Sequence, residues 1–194
     1  LLEHLKIDPY GCFIDIGAQV GRYAVRLAKQ CKRVIAFEPV EETMHILYKN
    51  CELNGVRNIN IFNYAVTDDV NSQILLYSDS EPGHTSINRH SNTDTVKAYY
   101  NTTLDRILDR YLDDPTNYSE YLIKVDVEGA ELKVLHGAKE VMKKLNPIWV
   151  IEVHPEVNIN KVKGLLREQG YDSHVIYELS PCVYIKAEKE KMYA

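Results

Sequence analysis

Residues 12–21 read Cys12-Phe13-Ile14-Asp15-Ile16-Gly17-Ala18-Gln19-Val20-Gly21. A run that is apolar apart from Asp15 enters a turn punctuated by Gly17 and Gly21, and residues 21–30 then carry apolar side chains at helical spacing. A buried strand passing through a glycine turn into a helix opens an α/β unit. The same order recurs downstream. Residues 34–37 read as a strand and 41–54 as a helix, with Met44, Leu47, Tyr48 and Cys51 on one face and Asn54-Gly55 as its stop. Residues 58–66, 73–77 and 96–102 read as strands, and 104–111 as a helix that Thr103 could cap. A buried strand over 121–127, a helix over 130–145, a strand over 148–153 and a helix over 160–169 closed by Gly170 follow. The last two strands, 173–178 and 182–186, are joined only by Leu179-Ser180-Pro181, a link short enough for antiparallel pairing alone. The tail from Ala187 reads as a solvated end. The expected fold is α/β: a mostly parallel sheet, helices on both faces, and an antiparallel hairpin at one edge.

The chain has 194 residues, which suggests a single domain over 1–194. Residues 1–11 are its lead-in, and the absence of Met at position 1 fits a trimmed start. With 45% hydrophobic and 26% charged residues, disorder is excluded, and no apolar run approaches the roughly 20 residues of a membrane-spanning helix. The net charge of −5 disfavours binding to bare nucleic-acid backbone, so neither nucleic acid nor membrane is expected as a partner. Cys12, Cys31, Cys51 and Cys182 form no C-x-x-C pair or zinc-like cluster, so no metal is expected and a cytoplasmic location is favoured. Residues 78–95 break the strand–helix rhythm with a long polar loop, of a kind that is usually either a functional lid or simply mobile.

The turn from Asp15 through Gly17, Ala18 and Gln19 to Gly21 fits a nucleotide-cofactor site, because glycine lets backbone approach a ligand. It is not the G-x-G-x-x-G of dinucleotide binders, which argues against an NAD-linked oxidoreductase. Asp15 would repel a pyrophosphate but suit an ammonium or sulfonium charge. S-adenosylmethionine carries both, and its carboxylate could lie near the start of the helix from Gly21. A plain tight turn would give the same pattern. Glu38, before Pro39 at the end of the second strand, stands roughly 20 residues beyond the glycine turn, where an acid can accept both ribose hydroxyls. Further on, Asp68 could accept from an adenine amino group with Phe37 and Val66 flanking the ring, or it could close an Asx-turn with Asp69 and Val70.

Two more strands end in polar residues: Asp126-Val127-Glu128-Gly129 and Glu152-Val153-His154-Pro155. Ligands of open α/β sheets sit at that edge. Asp126, Glu128, Glu152 and His154 could therefore hold a hydroxyl substrate, accept its proton or bind a hard cation, and Asp126 could also reach the cofactor. Each could instead cap a helix or form an ion pair.

Taken together, FIDIGAQVGRYA, VIAFEPVEE, NCELNGVRNI, AVTD, TLDRIL, LIKVDVEGAELKVLHGA and IWVIEVHPE resemble the FkbM family of S-adenosylmethionine-dependent methyltransferases, from about Cys12 to Pro155. The resemblance implies a Rossmann-like class I methyltransferase fold with a seven-stranded sheet, and O-methylation of a hydroxyl on a sugar or small natural product. It maps the family's glycine turn onto Asp15 to Gly21, its ribose acid onto Glu38, and its substrate edge onto Asp126-Val127-Glu128 and Glu152-Val153-His154. Gln19 departs from the family, which commonly carries Asn there. One rival is a nucleic-acid methyltransferase, but amino-directed members of that class resemble one another in an (Asp/Asn)-Pro-Pro-aromatic motif where Asp126-Val127-Glu128-Gly129 stands here. Another is a non-catalytic cofactor-binding relative.

Overall fold

The computed structural model describes residues 5–70, 73–78, 85–87, 95–112 and 114–189. Along the chain run β1 (Cys12–Ile16), α1 (Ala24–Leu27), β2 (Arg33–Phe37), α2 (Glu41–Leu53), β3 (Ile59–Phe62), β4 (Ala65–Val66), β5 (Gln73–Ser78), β6 (Thr85–Ser86) and β7 (Thr95–Thr102). They are followed by α3 (Leu104–Tyr111), β8 (Tyr121–Val125), α4 (Glu131–His136), α5 (Lys139–Lys144), β9 (Ile148–Val153), α6 (Ile159–Glu168), β10 (Asp172–Leu179) and β11 (Cys182–Glu188).

The main sheet has seven strands in the order β10-β11-β9-β8-β1-β2-β3. Only β11 opposes the common direction, pairing antiparallel with β9 on one side and β10 on the other. This is the parallel sheet with an edge hairpin that the strand–helix alternation predicts. Its central strands β9, β8, β1 and β2 bury both faces. Cys12, Ile14 and Ile16 of β1 face a core built with α3, α4, α5 and α6, whereas Phe13 faces one built with α1 and α2. Among the described residues no helix is long and apolar enough to cross a membrane.

Several elements differ from the sequence pattern for identifiable reasons. The first helix contracts to Ala24–Leu27 because Gln19 and Gly21 both adopt left-handed backbone, at φ 51° and 87°. The face of α2 is Leu47 and Cys51; Tyr48 is exposed. The helix expected over 130–145 breaks into α4 and α5 at Gly137, where a Cβ would lie 2.0 Å from the Thr67 carbonyl oxygen. Close packing of that turn on Thr67 takes precedence over helix continuity. The strand expected over 58–66 is also two pieces. Asn63 leaves the sheet to donate its side-chain amide to the Glu38 and Pro39 carbonyls, and β4 then joins a second sheet of order β4-β7-β5-β6. Thr103 caps α3 as expected, accepting from the Arg106 backbone N–H at 3.2 Å. The tail is not wholly solvated: β11 runs through Glu188 and buries Ala187. Of the polar loop expected over 78–95, residues 79–84 and 88–94 lie outside the described residues.

Candidate active site

The parallel strands β2, β1 and β8 deliver Glu38, Gly17 and Asp126 to one edge of the sheet, and a single cavity there is lined by all three. Gly17 has φ 78°, and its N–H and that of Ala18 both donate to the Phe37 carbonyl, at 3.1 and 2.9 Å. A Cβ on Gly17 would lie 1.8 Å from the Asp126 carbonyl oxygen, so only glycine lets the two strand ends approach this closely. Gln19 adopts φ 51°, a left-handed conformation that Asn tolerates better than other non-glycine residues. That is a physical reason for Asn at this position in the FkbM pattern.

Glu38 is buried, 6% exposed. One carboxylate oxygen accepts from the Gln19 N–H and the other from the Val40 N–H, each at 2.9 Å. Burial raises its pKa to about 7, and the two backbone donors only partly offset the shift. Each oxygen keeps a further lone pair for a hydroxyl donor. Beside it, Phe37, Val66 and Leu76 supply an apolar wall, with Pro39 at the rim. A carboxylate with spare acceptor capacity next to an apolar slot fits a ribose joined to an adenine ring.

Asp15, Ala18 and Gly21 shape the turn from behind without lining this cavity. Asp15 is fully buried, and its register partner across the β1–β8 pair is Lys124. Lys124 Nζ lies 3.2 Å from Asp15 Oδ1 and 3.3 Å from Asp126 Oδ2. The Asp15 carboxylate that strand-end placement offers to a cationic ligand is thus already matched by a protein ammonium. Burial would lower the Lys124 pKa, but the two carboxylates reverse the shift and hold it protonated. Asp68 also lies away from the cavity. It is exposed and pairs with Lys133 at 3.4 Å, while the local turn is closed by Thr67 and Asp69 instead.

Asp126, Glu128 and Glu152 also line the cavity, while His154 is buried and does not line it. His154 Nε2 is 3.1 Å from Glu128 Oε2 and 4.0 Å from Asp126 Oδ1, and its Nδ1 is 2.8 Å from Glu131 Oε1. The same Glu131 oxygen accepts the Gly129 N–H at 3.1 Å. Burial would lower the His154 pKa, yet hydrogen bonds and charge from Glu128 and Glu131 push it up to about 11. A ring protonated through the neutral range donates hydrogen bonds and takes up no proton. Glu152 moves the other way from an ordinary carboxylate: burial, then the Asp126 charge, raise its pKa against hydrogen bonds from Tyr184 and Cys182. Ligand atoms of Asp126, Glu128 and His154, and those of Glu152, His154 and Cys182, lie within 4.8 Å of one another. These are the four groups that the sequence pattern marks as able to hold a hard cation, and the fold adds Cys182 to them. Glu128 has φ 50°, and Ser86 of β6 donates to its carbonyl at 2.6 Å, tying the second sheet to this turn.

Lys124 and Glu131 carry no role in the linear reading. A lysine inside the apolar run Leu122-Ile123-Lys124-Val125 is the signal for the first, because a buried ammonium requires a carboxylate partner. Glu131 reads only as an ordinary acid in the first turn of a helix.

A seven-stranded Rossmann-like sheet with this hairpin and this strand-end cavity is the architecture of a methyltransferase. The chain matches the model of the methyltransferase FkbM domain over residues 15–173 and belongs to that family. It is 23% identical over 176 residues to Methyltransferase 1 of Beauveria bassiana (strain ARSEF 2860), covering 81% of this chain and 71% of the fungal protein. The crystal structure of methyltransferase FkbM from Methylobacillus flagellatus KT superposes with a TM-score of 0.63 at 17% identity, over 94% of this chain and 44% of that one. A Streptococcus mutans protein solved in complex with SAH superposes with a TM-score of 0.60 at 14% identity, over 95% of this chain and 91% of that one. The protein is a methyltransferase, and S-adenosylmethionine is its methyl donor.

Proposed function

We propose that this methyltransferase transfers the methyl group to a hydroxyl of an uncharged sugar or small natural product, within a single domain over 1–194. The observation that carries this is the set of three carboxylates, Asp126, Glu128 and Glu152, in the lining of the cavity that Gly17 also lines. Carboxylates accept hydrogen bonds and donate none, so they suit an acceptor that offers hydroxyl protons. Their charge opposes a phosphate-bearing acceptor such as nucleic acid. Four free cysteines, three of them buried, support a reducing, cytoplasmic setting.

In this reading Glu38 accepts the ribose hydroxyls, Phe37, Pro39 and Val66 flank the adenine, and Gly17, Ala18, Gln19 and Gly21 shape the turn that faces the donor's amino-acid end. Asp15 acts through Lys124. The bound donor supplies an electrophilic methyl group for in-line displacement. The protein's own task is alignment, water exclusion and acceptance of the hydroxyl proton. Glu152 is assigned as the base, since burial gives it the raised pKa that makes a carboxylate a better proton acceptor. His154, already protonated, donates from Nε2 to Glu128 and keeps the carboxylates in place.

Glu152→Gln tests the assignment. It should lower kcat by about 100-fold or more, the range of a lost general base, while leaving affinity for S-adenosylmethionine within about threefold. Full turnover in that variant would transfer the role to Asp126 or Glu128, to be separated by Asp126→Asn and Glu128→Gln.

A further inference from the structure

We propose that Lys124 is a positioning residue that clamps the donor-side turn at Gly17 to the acceptor-side carboxylate of Asp126. An ammonium has three N–H donors, and Lys124 Nζ has three oxygens in range: Asp15 Oδ1 at 3.2 Å, the Gly17 carbonyl at 3.3 Å and Asp126 Oδ2 at 3.3 Å. The group is 2% exposed, does not line the cavity, and packs over the Tyr23 ring at 5.0 Å. Parallel pairing of β1 with β8 sets Lys124 opposite Asp15, so the tripod is built into the strand register. It closes a seam made of two further contacts. The Asp126 N–H donates to the Ile16 carbonyl at 3.0 Å, and the Gly17 Cα packs directly on the Asp126 carbonyl. A core ion pair needs one partner. The third acceptor here is a carbonyl of the turn itself, so one buried cation spans both halves of the site.

This inference rests on the proposed reading, in which the Gly17 turn faces the donor and Asp126 the acceptor. Methyl transfer tolerates little misalignment between those halves, and rigidity at their seam is what the tripod supplies. The consequence is a split between two ligands. Adenosine engages Glu38 and the apolar wall, which Lys124 does not touch. S-adenosylhomocysteine adds an amino-acid arm that meets the Gly17 turn.

Calorimetry with both ligands, on the full chain, tests this. Lys124→Met keeps the aliphatic stem and removes the donors. It should weaken S-adenosylhomocysteine by about tenfold or more, the scale of a lost charge-assisted hydrogen bond, and change adenosine by less than about twofold. Should the unpaired Asp15 prevent folding, Asp15→Asn/Lys124→Met removes the buried charge as well and is read against Asp15→Asn alone, with the same split expected. Equal weakening of both ligands, no weakening of either, or failure of both variants to fold would make Lys124 a stability element only and overturn the proposal. Absence of binding by the unsubstituted protein would instead refute the donor-site reading on which the proposal rests.

Discussion

Glu131 Oε1 lies 2.8 Å from His154 Nδ1, and both side chains are buried. Because the same oxygen holds the Gly129 N–H, one carboxylate fixes the turn after β8 and the orientation of a ring at the end of β9. The other ring nitrogen is thereby directed at Glu128. The arrangement joins two strand ends that bear the acceptor-side carboxylates, and it does so beneath the cavity rather than in it.

Glu128 and Glu131 together make His154 an imidazolium over the whole neutral range. A group with its folded pKa raised to about 11, from an ordinary value near 6.5, contributes stability that is complete below pH 6.5 and is lost as pH climbs through 11. The groups facing it are Asp126, Glu128 and Glu131, with Glu152 and Cys182 nearby. NMR titration of the His154 ring should therefore show no midpoint between pH 5 and 9. In Glu131→Gln the midpoint should move down toward neutrality, and the protein should lose about 2 kcal/mol of stability, as for a weakened buried hydrogen bond to a charged group. A wild-type midpoint near 6.5 would return His154 to the set of candidate bases.

Donor binding should depend on pH through Glu38. Its pKa of about 7 in the free protein means that below neutrality the carboxyl is mainly protonated, whereas ribose hydroxyls donate best to the ionised form. Affinity for S-adenosylhomocysteine should therefore rise with pH, by about tenfold from pH 6 to pH 8. Glu38→Gln should bind more weakly and lose most of that dependence. A flat profile in the unsubstituted protein would mean that Glu38 is not the ribose acceptor.

Two glycine-to-alanine substitutions should have opposite effects. Gly17→Ala drives a Cβ to 1.8 Å from the Asp126 carbonyl oxygen at a left-handed position, so it should cost about 3 kcal/mol or more and abolish donor binding. Gly164→Ala, in the middle of α6 with no heavy atom within 4 Å of the new Cβ, should stabilise the fold by about 0.5–1 kcal/mol. Chemical denaturation measures both. Comparable stability of the two variants would contradict the close packing of the turn on Asp126.

What could be read from the linear chain was what local pattern encodes. The bounds of β1, α3 and β9, the Thr103 cap and the terminal hairpin all follow from runs of a few residues and their punctuation. The second sheet did not follow, because β4 pairs with β7 some 36 residues later and a two-residue strand has no periodicity. Breaks at Asn63 and Gly137 were hidden for a related reason: each is forced by a distant backbone, that of Glu38 and Thr67 respectively. In the site, Glu38 was legible from its distance to the glycine turn. The Lys124–Asp15 pairing spans 109 residues and depends on strand register, so sequence showed a lysine out of place and not its partner. Asp68 follows the strand end that bears Val66, but which way its side chain turns depends on Lys133, 65 residues away, with which it pairs.

Calorimetric titration of S-adenosylmethionine, S-adenosylhomocysteine and NAD into the unsubstituted protein and into Glu38→Ala is the most direct test of the donor site. Saturable binding of both sulfur ligands, no binding of NAD, and a loss of about tenfold or more in the variant are expected, the last from removing a buried hydrogen-bonded carboxylate. Unchanged affinity in Glu38→Ala would contradict the site described here, since the donor would then have to occupy some other part of the fold.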